Sequence, residues 1–276
     1  MPKPQLDGVD LPPLTGWALI LGASSGFGAA CAQALAAAGM DIIGVHLDRR
    51  AAQAKVDRVT SAIRALDREA WYYNTNAADP RRRVQVLDDV KRRLGARGQG
   101  ETVRVLLHSI AFGTLRPYLP TPEIAPVSQK QLEMTCDVMA HSLLYWVQDL
   151  LARGLLEREA RIFAMTSTGA REVWPGYGAV SAAKAALESH VRQLARELGP
   201  LGITVNAICA GVTDTPALDK MPEREAMIAA ALRKNPSRRL TRPEDVASAL
   251  VALAQPCTYW MNGNVIHVDG GEGHSG

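Results

Sequence analysis

The stretch LGASSGFGAA, residues 21–30, decides the fold. It follows an apolar run, WALIL, and leads into an alanine-rich segment that closes near Gly39. Gly22, Gly26 and Gly28 stand in a G-x-x-x-G-x-G spacing. Glycine permits a tight turn and lets the backbone approach a pyrophosphate closely. A helix that opens at the turn adds free N–H groups and a positive dipole end. A strand, a glycine turn and a helix in that order mark a dinucleotide-binding loop, with Gly22, Ser24, Ser25, Gly26, Phe27 and Gly28 at the phosphates.

Outward from this loop, apolar strand-like runs alternate with helix-like runs. Strands are expected at 17–23, 41–47, 71–77, 103–111, 161–167, 203–211 and 264–270. Helices are expected at 27–40, 51–70, 80–95, 128–153, 178–198 and 243–255, the second with Val56, Val59, Ile63 and Leu66 on one face. Such alternation implies an α/β fold: a single doubly wound parallel sheet with helices on both faces and right-handed crossovers. No repeat or linker divides the chain, so residues 1–276 are expected to form one domain. Only 213–240 breaks the rhythm, as an excursion with two short helix-like pieces around Pro222 and Pro236.

Composition narrows the function classes. Apolar residues make up 47% of the 276, enough for a sizeable core. With 31 basic and 28 acidic residues the net charge is +3, too balanced to imply nucleic-acid binding. Cys31, Cys136, Cys209 and Cys257 are isolated singles, which points away from a metal site or a disulfide framework and toward a reducing, cytoplasmic setting. The first residues lack an apolar signal region, and no apolar run is long enough to span a membrane.

The end of the second strand reads VHLDRR (45–50). An acidic residue there favours NAD, and arginine favours NADP. His46 stands where the acid would be, and Arg49 and Arg50 form a cation fork suited to a 2′-phosphate. NADPH is the expected cofactor; Asp48 keeps NADH open.

In PGYGAVSAAKAAL (175–187), Tyr177 precedes Lys184 by seven residues, two helical turns, so both lie on one helix face. With the glycine loop, this pair and HVDGG near the end, the chain resembles the short-chain dehydrogenase/reductase family over essentially residues 14–273. LLHSIAFGTLRP (106–117) looks like the segment after the fourth strand in enoyl-acyl-carrier-protein reductases. Residues 211–240 resemble the substrate loop of the NADPH-dependent members of that group, and the Tyr-x6-Lys spacing is its bacterial mark.

The resemblance implies roles for further residues. Asn76, with Ala77, would lie beside the adenine and Ser109, Ile110 and Ala111 along the adenosine. Val212 and Thr215 would hold the nicotinamide carboxamide, and Ser167 falls at the family's catalytic serine position. Two departures stand out: the tyrosine that many enoyl reductases carry near Ser167 is absent, and the family's helix asparagine is Asp137. Relatives are usually tetramers built through the helices at 128–153 and 178–198, so a homotetramer is implied.

The spacing has a chemical reading. A ketone reductase protonates the oxygen on the carbon that takes hydride, whereas an enoyl thioester takes hydride at C3 and develops charge on a more distant oxygen. A donor moved three residues along a helix shifts by roughly 4–5 Å. The usual register falls on Val180, which cannot donate a proton. Tyr177 would then stabilise the enolate, while Lys184 binds ribose hydroxyls and favours the Tyr177 phenolate. Phe112, Leu115, Trp174 and Met221 are the expected apolar lining for an acyl chain, delivered on acyl carrier protein or CoA. Carbonyl reduction and a non-catalytic NADP(H)-binding role remain the alternatives. His108, His141 and His190 read as structural.

Overall fold

Trp17, Leu19 and Leu21 enter one hydrophobic cluster, Ala18 and Ile20 another, and all five are fully buried. A strand covered on both faces has no solvent side, which is why this run is continuously apolar. In the computed structural model, which describes residues 12–98, 101–221 and 223–274, it is β1 (Trp17–Leu21) near the middle of a seven-stranded sheet. The other strands are β2 (Asp41–His46), β3 (Ala70–Asn74), β4 (Val103–His108), β5 (Leu156–Ser167), β6 (Thr204–Ala210) and β7 (Val265–Val268). All pair in parallel, in the order β3-β2-β1-β4-β5-β6-β7. The order reverses between β1 and β4, and the crevice outside the strand ends there is where open α/β sheets hold ligands.

Each face carries its own helices. One cluster packs the sheet against α3 (Pro80–Gly95), α5 (Ser142–Ala152) and α6 (Gly178–Leu198). The other packs it against α1 (Gly26–Ala37), α2 (Gln53–Arg64) and α8 (Pro243–Leu253). Local signals start these helices: the Asp79 side chain accepts from the amides of Arg81 and Arg82, ahead of Pro80, at the head of α3. Ser128 and Gln131 form a capping box at α4 (Gln129–Cys136).

The structure trims several expected bounds. α2 stops at Arg64, and Asp67 adopts φ of 56°, so Val56, Val59 and Ile63 are buried but Leu66 faces solvent. The helix expected at 128–153 is interrupted by a π-helical segment, Asp137–His141, between α4 and α5. The Ser142 hydroxyl, which donates to the Val138 carbonyl (2.7 Å), sits at that junction. β5 begins earlier than expected, at Leu156. The excursion holds a 3₁₀ turn, Leu218–Lys220, and one helix, α7 (Arg224–Lys234), which ends just before Pro236. Pro222 and residues 1–11 lie outside the described residues. No helix among the described residues is long and apolar enough to cross a membrane.

Candidate active site

Gly22 leaves β1 with φ of 92°, and a Cβ there would stand 2.2 Å from the Ser109 carbonyl oxygen, just past β4. A Cβ on Gly28 would stand 2.1 Å from the Gly22 carbonyl oxygen. The turn after β1, the first turn of α1 and the end of β4 thus converge where no side chain fits. Ser25, the N-cap of α1, makes no side-chain cap bond, so the first amides of α1 remain for another partner. A cavity of about 380 Å³ runs along this turn. Gly22, Ser24, Ser25, Gly26 and Phe27 form its floor; Asn76, Ala77, Ser109, Ile110 and Ala111 line its sides. Trp146 on α5 holds this wall by donating its indole N–H to the Ala77 carbonyl (2.8 Å). A side-chain-free cradle at a helix N-terminus, with a slot beyond the β2 end, fits an extended dinucleotide.

At the tip of β2, buried His46 Nδ1 lies 2.8 Å from Asp48 Oδ2, and both reach the cavity. Asp48 is further tied to Asn74, whose amide side chain exchanges hydrogen bonds with its backbone N–H (3.1 Å) and carbonyl (2.9 Å). Arg49 and Arg50 are exposed and line no part of this cavity. Two lysines do: Lys55, on the first turn of α2, and Lys220 in the excursion after β6. Helical side chains tilt toward the helix N-terminus, which for Lys55 is the end of α2 nearer in sequence to the β2 tip.

A second cavity, about 270 Å³, adjoins the first through shared walls at Phe27, Ser109, Phe112, Thr215 and Lys220. Ser167, Tyr177 and Lys184 meet on it, as do Phe112, Leu115, Trp174 and Met221. Ser167 ends β5, and Tyr177 is the N-cap of α6; their hydroxyls are 3.4 Å apart. Lys184, two turns along α6, is buried and donates to the Met165 carbonyl (2.6 Å). Burial pushes its ammonium down to about 8. Burial also pushes the Tyr177 hydroxyl above its ordinary value, against a smaller opposing effect of the Ser167 hydrogen bond. Burial thus favours the neutral hydroxyl of Tyr177, opposite in direction to the phenolate expected from a nearby lysine. Val180 is buried against Met139 and Ala183 in the cavity wall.

A sequence profile described as "Enoyl-(Acyl carrier protein) reductase" matches residues 22–272. The chain belongs to the short-chain dehydrogenase/reductase family. It is 32% identical over 265 residues to the NADPH-dependent aldehyde reductase-like protein, chloroplastic, of Arabidopsis thaliana, covering 92% of this chain and 93% of that one. It is 30% identical over 165 residues to the enoyl-acyl-carrier-protein reductase (NADH) of Escherichia coli K12. That match spans 60% of this chain and only 62% of the E. coli enzyme. A solved short-chain dehydrogenase of Burkholderia cenocepacia J2315 in complex with NADP superimposes with a TM-score of 0.79 at 27% identity, over 96% of this chain and 100% of that one.

Other residues singled out in the sequence have definite partners. The Val212 amide donates to the Glu272 carboxylate (3.2 and 3.3 Å), and its carbonyl accepts from the Thr241 amide (3.1 Å). Val212 reaches the cavity, but its main chain is already engaged; Thr213 beside it also lines the cavity, and Thr215 lines both. Asp137 lies in the π segment, accepts from the Tyr145 hydroxyl (3.2 Å) and lines neither cavity. His108 is buried with Nε2 2.8 Å from Ser142 Oγ, and burial pushes it down to about 3, which leaves it neutral. His141 and His190 pair with each other at 2.9 Å. Among the described residues no three His, Cys, Asp or Glu side chains gather as a metal site requires. Sequence reasoning missed Lys55, Thr213 and Lys220 on the cavity walls.

Proposed function

We propose that this reductase saturates the C2=C3 bond of an enoyl thioester carried on acyl carrier protein or CoA. The observation that carries the reading is the register at the head of α6. The ordinary donor position holds Val180, a buried apolar side chain, while the hydroxyl of Tyr177, one turn earlier, faces the cavity. When bound, the nicotinamide cofactor supplies hydride to C3. As the C=C electron pair shifts, negative charge collects on the thioester oxygen, and Tyr177 donates a hydrogen bond to it. Ser167, 3.4 Å from that hydroxyl, orients it. Lys184 holds the ribose hydroxyls from its buried slot. A proton taken up at C2 completes the reduction. Leu115, Trp174, Met221 and Met227 form an adaptable apolar wall for the acyl chain.

NADPH is the proposed donor, supported by Lys55 at the β2 tip. A homotetramer built through α4, α5 and α6 is the proposed assembly. Carbonyl reduction is the second reading, favoured by the near full-length match to the Arabidopsis relative. One assay separates them: purified protein with NADPH or NADH and either crotonyl or acetoacetyl thioester, followed by loss of reduced-cofactor absorbance. Oxidation with crotonyl thioester supports enoyl reduction. Oxidation with the keto substrate alone overturns it.

A further inference from the structure

Glu188 lies one helical turn beyond Lys184 on α6, and each residue is only 6% exposed. It lines neither cavity. Its carboxylate accepts from the Thr166 hydroxyl on β5 (2.9 Å), and Arg171, itself largely exposed, stands 3.4 Å away. Removing a carboxylate from water is costly unless charge and hydrogen bonds compensate. One hydroxyl and a loose, solvated arginine are thin compensation.

Lys184 has the opposite need. Its ammonium donates to a neutral carbonyl, that of Met165. The titratable groups around it are His108 on β4, Cys209 on β6, and Tyr177 and Glu188 on α6. Burial pushes His108 down to about 3 and Cys209 up to about 12, and it raises Tyr177, so none of these three carries charge at neutral pH. Glu188 is the carboxylate left to offset the buried ammonium.

We propose that Glu188 is a positioning residue: its carboxylate, one turn behind Lys184, keeps that side chain in the ammonium form that grips the cofactor ribose. The inference rests on the cofactor-binding role of Lys184 and is independent of which bond is reduced.

Glu188→Gln keeps an acceptor for Thr166 and removes the charge. The experiment is fluorescence titration of NADPH into wild type and variant from pH 6.5 to 9.5, with thermal unfolding as a folding control. At pH 6.5 the two should bind within about twofold and unfold at similar temperatures. As pH rises, the variant should lose affinity about one pH unit earlier, a tenfold difference in ammonium fraction there. Identical pH dependence, or a loss equal at every pH, overturns the proposal. If acetoacetyl but not crotonyl thioester is reduced, the enoyl reading fails while the titration still decides the role of Glu188.

Discussion

The hydroxyls of Ser167 and Tyr177 lie 3.4 Å apart, one on the last residue of β5 and the other on the residue that opens α6. The pair joins a strand end to a helix start, so the Tyr177 ring is held by two rigid elements rather than by a loop. Removing a preorganised donor of this kind costs about 10²–10³ in rate. Tyr177→Phe is therefore expected to lower kcat/KM on crotonyl thioester by that factor with the NADPH Kd within about twofold. Steady-state kinetics and cofactor titration on one preparation measure both. An unchanged rate removes Tyr177 from the chemistry.

His108 supplies a pH test of the fold. Burial holds it neutral in the folded state, down to about 3, while the unfolded chain takes a proton near the ordinary value of about 6.5. Between those values unfolding takes up a proton. The stabilising effect of keeping this imidazole neutral is complete above about pH 6.5 and declines as pH falls toward 3. By linkage, this residue should lower stability at pH 5 by roughly 2 kcal/mol relative to pH 7.5. His108→Gln, which cannot titrate, is expected to be less stable at pH 7.5 because the Ser142 bond is perturbed, but to lose less between pH 7.5 and 5. Urea midpoints at the two pH values give the comparison; parallel losses in both proteins would sink the assignment.

Much of this was legible in the chain, and the reasons are specific. WALIL reads as a doubly covered strand because both of its faces are buried, and the glycine loop is visible because steric exclusion selects for the absence of a side chain. The meeting of Ser167, Tyr177 and Lys184 follows from helix periodicity and a strand end. Other features depend on contacts that no local pattern records. The Val212 amide is taken by Glu272, 60 residues away. Lys55 lines the cavity from α2, which begins right after a 3₁₀ turn, Arg50–Ala52. The π segment at Asp137–His141 sits where Ser142 meets His108 on β4, a pairing across the sheet face.

Gly22 offers a direct test of the cradle. Alanine there would meet the Ser109 carbonyl oxygen at 2.2 Å and sit at φ of 92°. Left-handed strain costs of order 1–3 kcal/mol, and forcing the backbone apart adds a similar amount. Gly22→Ala is expected to lower stability by about 3 kcal/mol or more, with no measurable NADPH binding in the fraction that folds. Gly95→Ala, where nothing stands within 4 Å, is the control and should bind normally. Equal behaviour of the two variants would contradict the close packing of β1 against β4.

The β2 tip is where a preference between NADPH and NADH would be read. Arg49 and Arg50 point to solvent, so a fork formed by them would bind phosphate only after rearrangement. Lys55 already faces the cavity beside His46 and Asp48. The Asp48 carboxylate is bonded to His46 and its backbone to Asn74, which fixes the carboxylate at one edge of the tip. A charge-assisted contact to a 2′-phosphate is worth about 1.5–3 kcal/mol, or roughly ten- to a hundredfold in affinity. Lys55→Gln is expected to weaken NADPH by at least tenfold and to leave NADH within about twofold. The double variant Arg49→Ala, Arg50→Ala should shift NADPH by less than about threefold, the scale of exposed charges screened by solvent. Fluorescence titration of both cofactors into all three proteins gives the six constants. A large loss in the arginine variant with none in Lys55→Gln would return the phosphate to the fork, and equal losses for NADPH and NADH in Lys55→Gln would show that this lysine does not read the 2′-phosphate.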